Sequence, residues 1–539
     1  MLLATLLLVI FFVLYGIRYY YLKRGLARQR IIGAFVIPGY PFVGNAFQVL
    51  KNPSKVFIEW SEKYSQSTYV VYLGQTPVVI VNSRRDIECL WSFHSTSLNS
   101  RPTLHTFHKI VSSSQGPTVG TTPAGPSFQK KRKTLSLFLS SKSLTSTYHL
   151  YVMDDCSRYT IKSMLLQVAD LSSRSLPILD VSLIRHFQCF VLRCAILLTY
   201  GVNLDTHGND KQLADRIIET ENHIINFRSF ISNYQDYLPI FRVYPFSKFV
   251  SNDAQYWRLE RDKYIERLQD LFEEQSQANS LPSSESLLAQ IRIERSIARR
   301  LTSQEARSLC LTMLSAGLDN LGFTLNFAIG QLSCSKNGYK LQDKLYTELL
   351  TKSKGDIMRA WLAAASQVDC DFALAIIHEA LRNFSVLPLG LPRLTTKPIQ
   401  FGQIHIPTGT VLLMNVFAAN HDSRVCQNPE SFQPQRWLDN TGKFHAAKAL
   451  NHFSFGLGSR KCAGDQLSVK EMYTLLCRLV LVFHIRLPQD LKWLMEPDPF
   501  LSNSKPAATS FEPREFRVWL KVRQGDCADE LCESILKSL

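Results

Sequence analysis

The sequence predicts a mainly α-helical protein of the α+β class, with small β-sheets beside a helical body and one N-terminal transmembrane helix. Helical periodicity from Val181 to about Arg300, and again over Ser303–Leu332, predicts the body. Short β-branched segments bounded by glycine and proline predict the sheets. A nearly unbroken apolar run at the start predicts the membrane helix. With 539 residues and 45% apolar content, the chain can bury one large core.

The apolar run covers Leu2–Ile17 and is followed by tyrosines and then by a basic cluster. The run and the tyrosines together give roughly 20 residues, about one bilayer crossing. A cleaved signal peptide is the alternative interpretation, but the basic charge follows the run and no A-x-A-like site is present. We therefore predict an uncleaved single-pass anchor over residues 1–22 with a cytosolic catalytic body, which in a eukaryote places the protein at the endoplasmic reticulum membrane.

Three further segments follow the anchor. Residues 23–45 are predicted to be a basic and proline-rich linker, because two prolines and two glycines between Ile37 and Asn45 disfavour a helix. Residues 46–523 are predicted to form one catalytic domain, with a C-terminal tail over 524–539.

The 12 cysteines are scattered without a C-x-x-C pair, so a reducing compartment is favoured over a disulfide framework.

The formal net charge of +16 indicates an acidic protein partner or a surface of anionic headgroups. Nucleic acid is not expected as a partner, since no nucleic-acid-binding motif accompanies the charge. Solvated helix faces explain most of the basic runs. Arg132 is the exception among these basic residues, because its place relative to the sequence motifs indicates a functional role.

Local patterns predict smaller elements within the body. Val56–Tyr64 has the pattern of an amphipathic helix, and Thr68–Val81 has the β-branched residues and central turn of a hairpin. Ile404–Asn415 is predicted to be a second hairpin with a Pro-Thr-Gly turn. Phe511–Val522 alternates in the manner of a strand.

Cys462 follows a glycine-bearing loop and precedes an apolar run with helical spacing. A cysteine there lies near the amide groups of a helix N-terminus, and those dipoles, with Arg460 and Lys461 nearby, favour the thiolate. A thiolate is a nucleophile or a metal ligand, whereas an isolated cysteine is most often a small buried apolar residue. The neighbours decide between these interpretations, because a ten-residue pattern, F-x-x-G-x-R-x-C-x-G, is matched by Phe455, Gly458, Arg460, Cys462 and Gly464.

This pattern resembles the heme-binding loop of the cytochrome P450 family, in which the cysteine thiolate is the proximal iron ligand. The resemblance implies the cytochrome P450 fold and a heme b (iron protoporphyrin IX) cofactor with Cys462 bound to its iron. Phe455 would pack beside the sulfur. The likeness extends from the anchor to about Arg523, and its details look most like the fungal phenylacetate hydroxylases, which take electrons from NADPH–cytochrome P450 reductase.

The segment from Ala316 to Leu321 resembles the long helix that crosses the distal heme face in this family. There an Ala-Gly pair loosens the helix for dioxygen, an acid follows, and a threonine helps to deliver protons. Asp319 matches the acid, but Asn320 stands where the threonine is expected. An amide can position a water, but it does not donate a proton as an alcohol does. Thr324 could hold a compensating water, although an ordinary helix threonine is the simpler interpretation.

The resemblance also assigns cofactor-binding and structural roles to charged residues. The cations that pair with the heme carboxylates would be Arg132, Arg393 and Arg460. The family usually has a tryptophan four residues before the first of these, where Phe128 stands here. Glu379 and Arg382 would form a buried charge network with Arg436, and its role would be structural.

Three segments would line the substrate pocket if the family arrangement holds, although core packing explains their aromatic residues at least as well. They are His105, Phe107 and His108; Phe227, Phe230, Tyr234 and Tyr237; and Val386, Leu387 and Leu389.

The sequence therefore predicts a membrane-anchored heme-thiolate monooxygenase, with Asp319 and Asn320 managing protons for dioxygen. Its substrate would be apolar and aromatic, either arylacetate-like or from secondary metabolism. One alternative keeps heme and Cys462 but acts as an isomerase or dehydratase on a peroxide or oxidised substrate, without O2 and reductase. Another is a non-catalytic heme-binding or ligand-binding membrane protein, which the intact Cys462 loop argues against.

Overall fold

The computed structural model describes residues 11–12, 14–16, 18, 31–173, 180–243, 246–277, 284–294, 296, 300–445 and 451–537. The predicted anchor over residues 1–22 and the basic cluster after it lie almost entirely outside the described residues. Within the described part of the chain, no single helix is long and apolar enough to cross a membrane. The bent pair Ile357–Ser366 and Asp371–Asn383 meets that criterion only when its two helices are taken together.

The predicted helical body is confirmed. The α-helices are α1 Pro53–Tyr64, α2 Arg84–Glu88, α3 Pro126–Phe138, α4 Ser141–Leu144, α5 Thr147–Ser173, α6 Ile184–Tyr200, α7 Lys211–Ile224, α8 Phe246–Gln277, α9 Leu287–Ile293, α10 Ser303–Ser333, α11 Lys336–Lys352, α12 Ile357–Ser366, α13 Asp371–Asn383, α14 Val416–Asn420, α15 Asp465–Val482 and α16 Asp526–Lys537. The strands are β1 Thr68–Leu73, β2 Thr76–Val81, β3 Asp180–Val181, β4 Arg393–Leu394, β5 Ile399–Phe401, β6 Ile404–Ile406, β7 Val411–Met414, β8 Phe483–Arg486 and β9 Val518–Val522.

Helix α10 is the central helix of the body and packs most extensively against α6. It starts with a capping box, in which the Thr302 hydroxyl accepts from the Glu305 N–H and the Glu305 carboxylate accepts from the Thr302 N–H. Gly317 permits the close approach of α6, because a Cβ there would lie 3.1 Å from Cγ1 of Val191. The helix is continuous through Ala316 and Gly317, so the loosening expected from the family is not seen.

The sheets confirm one predicted hairpin and correct the other. Strands β1 and β2 pair antiparallel, as expected for Thr68–Val81. The predicted hairpin over Ile404–Asn415 is wrong, because β6 pairs with β5 whereas β7 lies between β2 and β4. Only the last part of Phe511–Val522 is a strand, and it pairs with β3 and β8. The four-stranded sheet β1-β2-β7-β4 ends on Arg393, whose side chain reaches the Cys462 loop.

Residues 526–537, which the sequence assigned to a C-terminal tail, form helix α16. Its apolar face buries Ala528, Leu531 and Ile535. These residues belong to the helix that packs on α5, α12 and α15. The folded body therefore extends beyond Arg523.

Candidate active site

The loop before α15 presents the Cys462 side chain from a tightly folded backbone. The Cys462 N–H donates to the Phe455 carbonyl oxygen at 2.9 Å, and one 3₁₀ turn lies between these two residues. Gly458 has φ of +68°, and a Cβ there would lie 2.0 Å from the carbonyl oxygen of Trp91, so glycine is required. Gly456 also has positive φ, +70°, but nothing lies within 4 Å of its Cβ position, so space is open beside the loop.

The Cys462 side chain is exposed, yet protein surrounds it closely enough that burial raises the pKa of its thiol. A hydrogen bond from the Gly464 backbone and the charges of Arg132 and Lys461 act in the opposite direction and do not overcome burial. The sequence predicted a thiolate, whereas the protein alone favours the thiol. A bound metal ion deprotonates a coordinating thiol outright. An accessible but enclosed sulfur indicates that Cys462 borders an internal space.

Three predicted cofactor-binding arginines converge at this space from α3, β4 and the Cys462 loop. Burial, followed by Arg460 and Arg132, lowers the pKa of Arg393 to about 9. Burial, followed by Arg132, lowers the pKa of Arg460 to about 10. The positive charges therefore lower one another's pKa, and only Arg132 is partly offset, by Cys462 and Asp465. Arg393 and Arg460 have the electrostatics of a cation cluster that favours an anionic ligand.

The hydrogen bonds of these arginines leave donors unused. Arg393 donates to the carbonyl oxygens of Leu98 at 3.2 Å and Leu457 at 2.8 Å. Arg460 donates to two backbone carbonyls, but its buried Nη2 has no hydrogen-bond partner among the residues that the structure describes. Within the described residues, no hydrogen bond is found for Arg132, and no carboxylate lies within salt-bridge distance of any of the three.

These observations test whether the residues fit a heme, and they do. Buried cations without counter-charges are costly, and the two carboxylates of a heme would neutralise them. Cys462 supplies a sulfur ligand next to the same space. Phe128 cannot donate a hydrogen bond as the usual tryptophan would, but its ring lies 3.3 Å from the Arg460 guanidinium carbon. Phe128 therefore positions Arg460 through a cation–π contact.

One face of α10 carries Ala316, Asn320 and Thr324 at successive turns. Ala316 is exposed in the middle of an otherwise largely buried helix, so this face also borders an internal space. The Asn320 amide donates from Nδ2 to the Ala316 carbonyl oxygen at 2.7 Å, while no described residue hydrogen-bonds to its buried Oδ1. The Thr324 hydroxyl donates to the Asn320 carbonyl oxygen at 2.6 Å, which supports the interpretation of Thr324 as an ordinary helix threonine.

Asp319 is buried on a different face of α10, toward the C-terminal end of α7. With its amide nitrogen turned toward Asp319, Asn222 donates to Asp319 Oδ1 at 2.6 Å. Burial raises the pKa of Asp319 from 3.8 to about 7, and Glu512 and Glu221 add to the effect, while Arg228 and Lys505 oppose it. A carboxyl group with this pKa can both take up and release a proton near neutral pH.

Replacing Asp319 with asparagine should remove a specific pH dependence of stability. The unfolded chain loses this proton near pH 3.8 and the folded protein near 7, so wild-type stability should fall between these values and change no further above them. The difference in stability between Asp319→Asn and wild type should therefore favour the variant more above about pH 7 than near pH 3.8. Thermal unfolding of both proteins at both pH values measures this difference. The exposed Asp270→Asn is the control, and the same difference for both variants would contradict the assignment.

The predicted pocket residues are only partly brought together. Phe230 and Leu389 line a cavity with Ile231, Pro388 and Phe511. The ring of His108 is instead held by the backbone of Thr121 and Leu104, which is a structural role. The other predicted residues lie outside the lining of this cavity: His105, Phe107, Phe227, Tyr234, Tyr237, Val386 and Leu387.

Arg228 also lines this cavity, and sequence reasoning missed it. Phe227 and Phe230, which flank Arg228 in the chain, were interpreted as aromatic residues of the pocket or the core, and the cation between them was overlooked. No motif includes Arg228, and the signal that could have found it was a single cation within an aromatic run.

The predicted charge network around Glu379 is present in the structure. The Glu379 carboxylate accepts from Arg382 Nε at 2.9 Å and Nη2 at 2.8 Å, and from Arg436 Nε at 3.1 Å. It also accepts from the Trp437 indole at 2.9 Å and the Gln433 backbone at 2.8 Å. One fully buried carboxylate thus fixes α13 to the segment that leads into the Cys462 loop.

Comparison with known proteins supplies the family. The Cytochrome P450 family model matches residues 36–511. The chain is 31% identical to "Phenylacetate 2-hydroxylase" of Emericella nidulans over 92% of this chain and 91% of the relative. It is equally 31% identical to "3-hydroxyphenylacetate 6-hydroxylase" of the same organism, over 91% and 89%. "Cytochrome P450 1A1" of Canis lupus familiaris is 23% identical over 85% and 86%. Relatives named as hydroxylases favour a monooxygenase over an isomerase or dehydratase.

Proposed function

Because the chain belongs to the cytochrome P450 family, we propose that it is a heme-thiolate monooxygenase acting on an apolar, aromatic substrate, arylacetate-like or from secondary metabolism. One atom of O2 enters the substrate and the other leaves as water, with two electrons from NADPH passed on by cytochrome P450 reductase. The observation that carries the proposal is the accessible Cys462 thiol near the buried Arg393 and Arg460 and the half-buried Arg132, for which no carboxylate partner lies within salt-bridge distance among the described residues.

The cofactor is heme b, which binds and activates dioxygen when its iron is held by a thiolate. Cys462 would be the iron ligand, with Phe455 holding its backbone in place. Three cations would hold the heme carboxylates: Arg132, Arg393 and Arg460. Each comes from a different element, so the cofactor would join α3, β4 and the loop before α15.

Asp319 and Asn320 would both take part in proton transfer, from two different faces of α10. Asp319, with a pKa of about 7, would exchange protons through its contacts near α7. Asn320 occupies the position of the family's threonine, and its amide is tied to the Ala316 carbonyl. Its free Oδ1 can accept from a water, so Asn320 would orient a proton-bearing water rather than donate its own proton.

Asn320→Thr is therefore expected to raise the fraction of NADPH electrons that end in product. A threonine hydroxyl fits this helix, as Thr324 shows by donating four residues back, and it can pass on a proton. The measurement is product formed per NADPH consumed, with Asn320→Val as the matched variant that has no donor. Equal coupling in wild type and Asn320→Thr would count against Asn320 as a limit on proton delivery.

We retain the anchor over residues 1–22 and the linker over 23–45 as part of the proposal. A single-pass anchor in the endoplasmic reticulum membrane would place the catalytic domain in the cytosol, where the reductase is available. The net charge of +16 supports docking of an acidic redox partner.

The test is turnover in microsomes with reductase, NADPH and isotopically labelled dioxygen, with phenylacetate and hydroxyphenylacetates offered as substrates. Label in a ring-hydroxylated product, formed only with NADPH, is the expected result. Turnover that needs neither NADPH nor O2 would favour the isomerase or dehydratase. Absence of labelled product from all the offered acids, in preparations with a normal carbon monoxide spectrum, would exclude arylacetates as substrates.

A further inference from the structure

The cavity that Phe230 and Leu389 line is apolar over most of its wall, with a single charged residue, Arg228, among the residues that line it. Arg228 ends the 3₁₀ turn Ile225–Arg228, just after α7. Its side chain is 11% exposed, and burial lowers the pKa of its guanidinium to about 10, so it remains charged at neutral pH. A buried cation in an apolar cavity requires a partner.

The carboxylate nearest to Arg228 is already occupied. Glu221 Oε2 lies 3.9 Å from Arg228 Nη2, beyond hydrogen-bond distance. Glu221 instead forms two hydrogen bonds of 2.7 Å with Arg261 and accepts a third, also 2.7 Å, from the Tyr264 hydroxyl. Asp319 is close enough to influence the charge of Arg228, but it is held by Asn222.

Arg228 therefore has unused donors. Among the described residues its one hydrogen bond runs from Nη2 to the Ser315 hydroxyl at 3.1 Å. Its Nε is buried and has no hydrogen-bond partner in the part of the chain that the structure describes. On another part of the same cavity wall, the buried Thr509 hydroxyl also lacks a partner. The Phe107 ring lies 5.3 Å from the guanidinium carbon and limits its movement.

We propose that Arg228 binds the carboxylate of the substrate and so selects aromatic carboxylic acids over neutral aromatic compounds. This inference rests on the proposed function and identifies the chemical class of its substrate. A planar guanidinium with free donors matches a carboxylate in shape and charge, which an ammonium group or an amide does not. The apolar remainder of the wall, which includes Phe230, Leu389 and Phe511, suits an aromatic ring, and the cavity, about 30 Å³ in this structure, would have to widen to admit it.

The position of Arg228 also suits oxidation close to the carboxylate. Ser315, which holds Arg228, immediately precedes Ala316 on α10. Ala316 is the exposed residue of the face that carries Asn320. In an arylacetate a single methylene separates the carboxylate from the ring. A carboxylate held beside Ser315 would therefore keep the ring close to the face of α10 that carries Ala316 and Asn320, within about the 5.4 Å of one helical turn.

The test compares the binding of phenylacetate with that of its neutral counterpart phenylacetamide, using calorimetry and the optical shift of the holoenzyme. Wild type should bind the acid more tightly. Arg228→Gln should reduce the acid-to-amide affinity ratio by roughly 10- to 100-fold, as expected for a lost charged hydrogen bond, with little change for the amide. Arg228→Lys should restore part of the preference. Arg216→Gln, which removes an exposed cation from α7, is the control and should leave the ratio unchanged.

An unchanged ratio in Arg228→Gln, or a wild type that binds the amide as tightly as the acid, would overturn the inference. If Arg228→Gln does not fold, the inference is tested by the acid-to-amide affinity ratios of wild type and Arg228→Lys. Failure here is distinguishable from failure of the proposed function. In the first case the enzyme still shows a thiolate carbon monoxide spectrum and oxygenates a neutral aromatic compound with NADPH. In the second case neither is observed for any substrate.

Discussion

Replacing Cys462 with serine is expected to abolish the red-shifted Soret band of the reduced carbon monoxide complex and to reduce product formation to background. A serine hydroxyl is not ionised near neutral pH and cannot replace the thiolate that donates electron density to the iron. The measurement is the carbon monoxide difference spectrum of purified protein, together with labelled-oxygen turnover.

Cys527→Ser is the matched control, because Cys527 is an exposed cysteine on α16. This variant should keep both the band and the activity. A red-shifted band that persists in Cys462→Ser would exclude Cys462 as the iron ligand. It would leave the arginine cluster without an adjacent ligand.

Glu379→Gln should have the largest effect on stability. The change is nearly isosteric, but it removes the charge that the buried Arg382 and the partly buried Arg436 face and weakens five hydrogen bonds. Loss of one partner from such a buried network costs about 3–5 kcal/mol. We expect a clear decrease in the urea concentration at half-unfolding and in the heme content of purified protein.

The control for this variant is Glu274→Gln. Glu274 also pairs with an arginine, Arg267 at 3.2 Å, but both side chains are more than half exposed. Exposed pairs contribute little, so this variant should unfold close to wild type. Equal destabilisation by the two changes would show that the Glu379 network does not brace the body as inferred.

The local features of the candidate site could be predicted from sequence because the motif is contiguous. The pattern around Cys462 fixes a cysteine before a helix, and the structure has that helix starting at Asp465. The state of the sulfur could not be predicted in the same way. Its pKa depends on how many atoms from distant elements surround it, and burial outweighed the nearby charges.

Strand pairing was less predictable than the strands themselves. The apolar pattern of Val411–Met414 indicates a strand, but β2, one of its two partners, lies more than 300 residues earlier in the chain. The short turn after Ile406 suggested a local hairpin, whereas Ile404–Ile406 pairs backwards with Ile399–Phe401. The local sequence pattern predicts whether a segment is a strand, whereas long-range packing determines which strand it pairs with.

Arg228 illustrates the same limit for function. Its significance depends on Glu221 being bound to Arg261 and on a cavity wall assembled from four other parts of the chain. Neither fact is visible in the sequence around Phe227 and Phe230. By contrast, the absence of the family's threonine at Asn320 could be seen directly, because that comparison needs one aligned position.

Helix α16 has a consequence for how the protein is made. The ribosome synthesises this helix after α5, α12 and α15, on which it packs. Until the chain beyond residue 525 emerges, the apolar surfaces that Leu531 and Ile535 cover remain open to solvent. A nascent chain that stalls in this window would present these apolar surfaces to chaperones, and closure of the body would have to wait until α16 is available.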